Sequence, residues 1–215
     1  MTIYICGDST AASYTADQAP FTGWGQVLEE FMPDKIRVEN RAMAGRSTKS
    51  FLSEGRLQQI EKEIQPGDLL LIQFTHNDYS ELVWRHTDPW TGFQNNLGIF
   101  VDTARLAGAI PVLLTPICGR YWENDQLQPS HGDYPEAVRL LAVQKGVPLI
   151  DLYGASLRIV SELGERESRK LYMHVEKGKY PAFPDGRVDD VHTQRAGAEP
   201  YARFVADELR RLKLI

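Results

Sequence analysis

Residues 2–10, TIYICGDST, join a short apolar run to a polar tail, and the same pattern returns along the chain. The apolar part, residues 3–6, has the length and composition of a buried parallel strand. Further apolar runs bounded by Gly, Pro or Asp predict four more strands, at residues 36–39, 68–74, 110–114 and 147–151. The chain therefore begins with the first of five predicted strands, and a polar tail follows that strand directly.

Amphipathic stretches separate these runs and continue after the last one. They lie at residues 24–31, 48–63, 93–107, 133–145, 153–163 and 195–213. In the last stretch, Ala198, Tyr201 and Val205 are spaced for one helix face. Alternating strands and helices predict an α/β protein whose parallel sheet carries helices on both faces. Ligands bind at the carboxyl ends of such strands, so we expect substrate contacts from the irregular segments 76–92, 117–132 and 172–192.

Length and composition limit the function classes. A chain of 215 residues fits one domain, residues 1–215. Its net charge of −5 disfavours general attraction to nucleic acid or to an anionic membrane, and no apolar run reaches the roughly 20 residues of a membrane helix. The start of the chain has no secretory pattern, and we expect a soluble cytoplasmic protein. Cys6 and Cys118 are expected to be free thiols.

Two polar motifs near opposite ends of the chain can form one hydrolytic site. Ser9 follows the first predicted strand, and Asp189 and His192 form an Asp-x-x-His before the last predicted helix. A hydroxyl is a weak nucleophile until an imidazole takes its proton, and a carboxylate must orient that imidazole. If folding joins the motifs, they make a serine esterase. The alternatives are a helix cap at Ser9 and a surface turn at His192. Asp190 is a second carboxylate near the histidine, but the spacing favours Asp189.

Two further motifs follow the second and third predicted strands. Gly45 lets backbone N–H groups approach a ligand closely, although an ordinary turn also explains it. The side-chain amide of Asn77 can donate to a developing oxyanion, although an Asx turn is the alternative. The four motifs have complementary chemical roles, which favours one site over four unrelated turns.

Taken together, Gly7-Asp8-Ser9, Gly45, Asn77 and Asp189 with His192 resemble the SGNH, or GDSL-like, hydrolase superfamily. Further blocks resemble its bacterial rhamnogalacturonan acetylesterases: Gly23-Trp24-Gly25, Ala44-Gly45-Arg46-Ser47, His76-Asn77-Asp78, Gly132-Asp133-Tyr134-Pro135 and Ala196-Gly197-Ala198. The resemblance covers essentially the whole chain. It implies a three-layer α/β/α sandwich around a five-stranded parallel sheet, the flavodoxin-like fold of these hydrolases.

The resemblance also implies a mechanism. Ser9 would attack an acetyl carbonyl, and His192 would take the proton of Ser9 and then give it to the leaving sugar hydroxyl. Asp189 would orient the imidazole. The backbone N–H groups of Ser9 and Gly45 and the amide of Asn77 would hold the oxyanion. Water would then release acetate, and no metal or organic cofactor is required.

One position departs from the pattern of the superfamily. Its third block usually reads Gly-x-Asn-Asp, whereas Thr75 occupies the glycine position here. If the site required a positive φ, a β-branched threonine would be costly. We expect a modest retuning of the pocket and no loss of activity.

Five residues are candidate substrate contacts: Arg46, His76, Trp84, Arg85 and Trp90. Aromatic rings suit the face of a sugar, and an arginine suits a uronate carboxylate. Each has an alternative. The tryptophans can pin their loop to the core, the histidine can be structural, and Arg46 can form a local ion pair. The other three histidines lack the spaced partners of a metal site.

Three functions fit the sequence. The first is removal of O-acetyl groups from pectin-derived rhamnogalacturonan oligosaccharides, with an acetylated oligosaccharide as the partner. The second keeps the chemistry but takes an acetylxylan, a small ester, a lipid or a thioester, and the polar loops argue against the last two. The third is a carbohydrate-binding domain without catalysis, which the complete set of site residues disfavours.

Overall fold

Five parallel strands form the centre of the computed structural model, which describes residues 1–215. The strands of the chain are β1 (Thr2–Gly7), β2 (Arg37–Asn40), β3 (Leu69–Gln73), β4 (Ile110–Leu114), β5 (Trp122–Glu123), β6 (Gln126–Leu127) and β7 (Leu149–Ile150). The main sheet has the order β2-β1-β3-β4-β7, and each neighbouring pair is parallel. This is the strand order of flavodoxin-like sheets. The predicted α/β class and five-stranded parallel sheet are confirmed.

Seven α-helices flank the sheet. They are α1 (Trp24–Val27), α2 (Thr48–Ser53), α3 (Arg56–Glu61), α4 (Gln94–Leu106), α5 (Tyr134–Lys145), α6 (Leu152–Ser168) and α7 (Arg195–Arg211). Single turns of 3₁₀ helix lie at Ala16–Gln18, Leu28–Phe31 and Arg169–Leu171, and a π-helical turn at Pro89–Phe93 leads into α4. None of these helices is both long enough and apolar enough to cross a membrane. Cys6 and Cys118 are buried and unpaired, as the sequence predicts.

Alternating side chains of the strands build two cores. In β1, Ile3 and Ile5 belong to the core that includes side chains of α1 and α7, whereas Tyr4 and Cys6 belong to the core that includes side chains of α2, α3, α4 and α5. A strand that is buried on both faces needs apolar side chains on both, which is why β1 and β3 read as nearly continuous apolar runs. The result is a sheet between two helical layers.

Glycines of positive φ interrupt two helical stretches. The stretch 48–63 forms two helices, since Gly55 adopts a left-handed φ of 71° between α2 and α3. The stretch 153–163 continues as α6 to Ser168, and the chain kinks at Gly164, whose φ is 73°. A positive φ is open to glycine but breaks the geometry of a right-handed helix.

A short hairpin lies within the segment 117–132 that the sequence leaves irregular. Its strands β5 and β6 pair antiparallel, and Asn124 and Asp125 connect them with φ values of 50° and 59°. Two consecutive residues of positive φ are the pattern of a type I′ turn, for which asparagine and aspartate are suited. Strands of two residues are too short to give a periodic signal in the sequence.

Two glycines in helices give opposite expectations for substitution by alanine. A Cβ on Gly197 in α7 would lie 2.3 Å from the carbonyl oxygen of Leu171, whereas a Cβ on Gly98 in α4 would have nothing nearer than 3.6 Å. We expect Gly98→Ala to raise the free energy of unfolding by about 0.5–1 kcal/mol through helix propensity. Gly197→Ala should lower it by about 1–3 kcal/mol through overpacking. Urea unfolding measures both, and changes of the same sign would show that local space does not decide the effect.

Candidate active site

The topology of the sheet gathers the polar motifs at one edge. β1 lies between β2 and β3, with Gly7 paired to Gln73 in the register of β3. Ser9, Gly45 and Asn77 follow the carboxyl ends of these three strands, at the point where the strand order reverses. In open sheets of this kind the reversal leaves a crevice that binds ligands.

The segment before α7 is held across this crevice by backbone contacts. The N–H of Thr22 donates to the carbonyl of Thr193 at 3.0 Å, and the hydroxyl of Thr193 donates back to the carbonyl of Thr22 at 2.6 Å. The N–H of Met173 donates to the carbonyl of His192 at 2.9 Å. These contacts fix the main chain of His192, which comes from a part of the sequence far from β1.

Ser9, His192 and Asp189 lie in a line of hydrogen-bonding distances. Ser9 Oγ is 2.9 Å from His192 Nε2, and His192 Nδ1 is 2.9 Å from Asp189 Oδ2. The other carboxylate oxygen, Oδ1, accepts from the backbone N–H groups of Val191 and His192, each at 3.0 Å. In this arrangement an imidazole can accept the hydroxyl proton while a carboxylate fixes its tautomer.

Arg187 is a further partner of Asp189 that the sequence analysis missed. Its Nη2 and Nε donate to Asp189 Oδ2 at 2.6 and 3.1 Å. Burial would raise the pKa of Asp189, but hydrogen bonds from His192 and from Arg187 outweigh it and hold this pKa well below the usual range. The guanidinium lies 5.0 Å from the centre of the Phe21 ring, whose edge-on partner is the His192 ring. No motif marks Arg187, because its role depends on how the segment 172–192 folds.

Asp190 is held away from His192. Its Oδ1 lies 2.7 Å from His174 Nε2 and 2.8 Å from Arg120 Nη1. Arg120 is buried, and its backbone N–H also donates to the carbonyl of Asp190 at 2.7 Å. The geometry therefore gives Asp190 a structural ion pair and brings Asp189 to the imidazole.

Gly45 and Asn77 line the same crevice as Ser9. Gly45 adopts a φ of 80°, in the left-handed region that favours glycine. Asn77 is buried, its Nδ2 donates to the carbonyl of Arg46 at 3.0 Å, and its Oδ1 accepts from Arg85 Nη1 at 2.8 Å. The amide is thus held in one orientation from two sides.

Asp8 supports the opposite wall of the crevice. Its buried Oδ2 lies 3.3 Å from both the backbone N and the Nδ1 of His76, and its Oδ1 accepts from the N–H and hydroxyl of Thr10. Burial would raise the pKa of Asp8, but His76 and Thr10 lower it to about 2. The His76 ring packs edge-on against His131 at 4.2 Å, and burial lowers the pKa of His131 to about 2, so His131 is neutral.

The crevice is an open cavity of about 490 Å³. Its walls are Ser9, Ala44, Gly45, His76, Asn77, Tyr79, Arg85, Tyr121, His131, Asp189, Val191 and His192. All three irregular segments contribute to it, as the fold class predicts. Tyr79 and Tyr121 are exposed rings, and with His131 they are wall residues that the sequence analysis did not single out. His131 has a positive φ of 68°, which a lone sequence does not reveal.

The five candidate substrate contacts separate into two groups. His76 and Arg85 line the cavity. Arg46 instead pairs with Glu54, with 3.1 Å between Nε and Oε1, Trp90 donates to Asp133 at 3.1 Å, and Trp84 is an exposed ring beside Arg85. The structure does not bring these three side chains to the cavity wall.

The family of the chain follows from comparison with known proteins. The model of the GDSL-like lipase/acylhydrolase family matches residues 5–203. The chain belongs to this family. It is also 39% identical over 213 residues to the rhamnogalacturonan acetylesterase RhgT of Bacillus subtilis (strain 168), which covers 99% of this chain and 90% of that protein. The probable rhamnogalacturonan acetylesterase YesY of the same organism is 37% identical, covering 99% and 94%.

Solved structures share the fold of this GDSL-like hydrolase. YxiM of Bacillus subtilis superposes with a TM-score of 0.83 at 28% identity, over 99% of this chain and 56% of that longer one. A catalytic mutant of Axe2, an acetylxylan esterase from Geobacillus stearothermophilus, gives a TM-score of 0.69 at 18% identity over 97% and 93%. The predicted superfamily is confirmed, and the protein is a carboxylic ester hydrolase.

The structure shows why threonine is tolerated at position 75, where the superfamily motif usually has glycine. It is fully buried, its φ is not positive, and its hydroxyl donates to the carbonyl of Phe74. The backbone here has no need of glycine. We therefore expect Thr75→Gly to leave turnover within about threefold while lowering the free energy of unfolding by about 1–3 kcal/mol, because it removes a buried side chain and adds backbone freedom.

Acetate release and urea unfolding on the same preparation measure these two quantities for Thr75. Thr75→Ser is the matched control, because it keeps the hydroxyl and loses only the methyl group. A hundredfold rise in the turnover of Thr75→Gly would show that the threonine restricts the site.

Proposed function

We propose that this hydrolase removes O-acetyl groups from carbohydrates, and specifically from rhamnogalacturonan oligosaccharides derived from pectin. The observation that carries the proposal is the line from Ser9 through His192 to Asp189, with both distances 2.9 Å, inside an open cavity. The substrate class is supported by the 39% identity to RhgT, which extends over 90% of that acetylesterase.

In the proposed reaction, Ser9 Oγ attacks the carbonyl carbon of an acetyl ester and His192 Nε2 takes the hydroxyl proton. The imidazolium then protonates the departing sugar oxygen, which leaves an acetyl group on Ser9. Water repeats the sequence, with His192 again as the base, and acetate leaves. Asp189 stabilises the imidazolium in both halves. Hydrogen bonds from His192, with that from Arg187, hold the pKa of Asp189 well below its usual range against the effect of burial, so Asp189 is ionised at neutral pH as that role requires.

The proposed oxyanion site consists of the N–H groups of Ser9 and Gly45 and the Nδ2 of Asn77. Negative charge develops on the former carbonyl oxygen, and fixed donors stabilise it more than they stabilise the uncharged ester. Because Asn77 is buried and bonded at both ends of its amide, the donor needs little reorganisation when the charge appears.

The walls of the cavity favour a sugar ester over a lipid or thioester. Only four of the 12 wall residues are hydrophobic. Tyr79 and Tyr121 are exposed at its rim, where their rings can lie against the face of a pyranose while their hydroxyls stay in water. His76, Arg85 and His131 add polar groups to the walls that a long acyl chain would desolvate.

Acetate release tests the reaction and the substrate class together. The substrates are acetylated rhamnogalacturonan oligosaccharides, acetylated xylo-oligosaccharides and p-nitrophenyl acetate. We expect the highest kcat/KM on the pectic substrate and a loss of at least about a thousandfold on all three in Ser9→Ala. Ser53→Ala, on the exposed side of α2, is the matched control. A higher kcat/KM on the xylan fragments would show that acetylated xylan is the better substrate. Normal turnover by Ser9→Ala would show that the proposed mechanism is wrong.

Substitution of Asp189 and of its neighbour Asp190 distinguishes a residue that acts in the reaction from one that only stabilises the loop. We expect Asp189→Asn to lower kcat by about 10³- to 10⁴-fold, because the amide favours the wrong imidazole tautomer. Asp190→Asn should keep kcat within about threefold but lower the melting temperature, because it leaves Arg120 buried beside a neutral group. Initial rates and thermal unfolding measure both variants. An equal loss of kcat in folded Asp190→Asn would show that the assignment of Asp189 is wrong.

A further inference from the structure

The side-chain amide of Asn77 lies between two groups that each accept only one orientation of it. The carbonyl oxygen of Arg46 is 3.0 Å from Nδ2, and the guanidinium Nη1 of Arg85 is 2.8 Å from Oδ1. A carbonyl can only accept a hydrogen bond and a guanidinium can only donate one. Both contacts therefore require Nδ2 to face Arg46 and Oδ1 to face Arg85. One Nδ2 hydrogen is used by Arg46, and the structure gives the second no protein acceptor.

We propose that Arg85 is a positioning residue that acts on the reaction through the Asn77 amide. The proposal rests on the proposed function, in which Nδ2 donates to the oxyanion. A cation on the amide oxygen draws electron density from the nitrogen and strengthens the remaining N–H as a donor. It also prevents a flip of the amide, which would turn Oδ1 toward the developing negative charge.

The loop that carries Arg85 is anchored next to Asn77 itself. The buried carboxylate of Asp78 accepts from the hydroxyl of Thr87 at 2.8 Å, and the backbone N–H of Thr87 donates to the carbonyl of Asp78 at 3.2 Å. The hydroxyl and N–H of Thr48, at the start of α2, donate to the same carboxylate. Both ends of the segment 78–87 are thus tied to one point, and the loop must return Arg85 toward the residue before Asp78.

The side chain of Arg85 has no other polar partner within the protein. The bond to Asn77 is the one side-chain hydrogen bond that it makes, it forms no ion pair, and its Nε is buried without a partner. The Trp84 ring covers the guanidinium at 5.4 Å. A half-buried cation with a neutral amide as its sole polar partner polarises that amide more than an arginine neutralised by a carboxylate would.

A different role for Arg85, binding of a uronate carboxylate, predicts a different dependence on substrate. A carboxylate contact matters only for substrates that carry a carboxylate, and it acts mainly on KM. A contribution made through the oxyanion donor matters for every acetyl ester, and it acts on kcat because the charge exists only in the transition state. p-Nitrophenyl acetate carries no carboxylate and therefore separates the two roles.

The experiment is a double-mutant cycle on p-nitrophenyl acetate with Arg85→Met and Asn77→Ala. We expect Arg85→Met to lower kcat by about tenfold, less than the 10²- to 10³-fold loss of a whole oxyanion donor, with KM within about twofold. In the Asn77→Ala background the same substitution should change kcat by less than about twofold, because its route is already removed. The kcat of Arg85→Lys should lie between those of the wild type and Arg85→Met, since lysine keeps the charge but lacks the planar guanidinium. Arg105→Met, a remote arginine of α4 that donates to a backbone carbonyl, is the matched control.

A second measurement follows the amide without turnover. In a ¹H–¹⁵N spectrum the Nδ2 signals of Asn77 are assigned by their loss in Asn77→Ala. We expect them to move toward the shifts of a solvated amide in Arg85→Met and to stay in place in Arg105→Met. Unchanged signals would overturn the proposal even if kcat falls.

Each kinetic outcome tests either the role of Arg85 or the proposed function. A loss confined to the pectic substrate and to KM would make Arg85 a carboxylate-binding residue, and equal losses with and without Asn77 would show a route that bypasses the amide. Either result overturns the proposal. If Asn77→Ala keeps full kcat while Ser9→Ala loses it, the oxyanion role of Asn77 fails and the esterase mechanism stands. If Ser9→Ala keeps kcat, the proposed function itself fails.

Discussion

Parallel pairing of β1 with both β2 and β3 is the constraint on which the site depends. It forces three carboxyl ends to one edge of the sheet, so that Ser9, Gly45 and Asn77 meet although the sequence separates them widely. β1 and β3 are buried on both faces and cannot slip without exposing apolar side chains. The packing of the two cores therefore fixes the relative positions of the site residues. The segment with His192 must then cross this edge to complete it.

That crossing segment is held by contacts that no strand provides. Arg187 donates to Asp189 while its guanidinium lies against the rings of Phe21 and Phe183. The Phe21 ring in turn meets His192 edge-on. A mobile imidazole would spend much of its time out of reach of the serine. Packing on one side and a carboxylate on the other restrict its ring to the plane that the proposed proton transfer needs.

The sequence predicts the sheet, its layers and the motifs of the site. The sheet and its layers follow from apolar runs, and the site residues lie in short motifs whose chemical roles can be read directly. It does not predict Arg187, His131 or the pairing of Asp190 with Arg120, because these contacts join residues through loops without periodicity. It also leaves open where Arg46 points. The structure shows that its backbone carbonyl contacts Asn77 and that its side chain pairs with Glu54.

The aspartates beside Ser9 and Asn77 show how one residue type gives two electrostatic results. Asp8 and Asp78 are both completely buried, and burial alone would raise both pKa values. Asp8 faces the ring of His76, and its pKa falls to about 2, whereas Asp78 receives only hydroxyl and amide hydrogens and its pKa rises to about 7. A carboxylate that stays charged can fix the imidazole beside it. A carboxyl group whose pKa is about 7 is only partly ionised at neutral pH. Asp78 therefore anchors its loop without placing a full negative charge next to the proposed oxyanion donor Asn77, where such a charge would oppose the reaction.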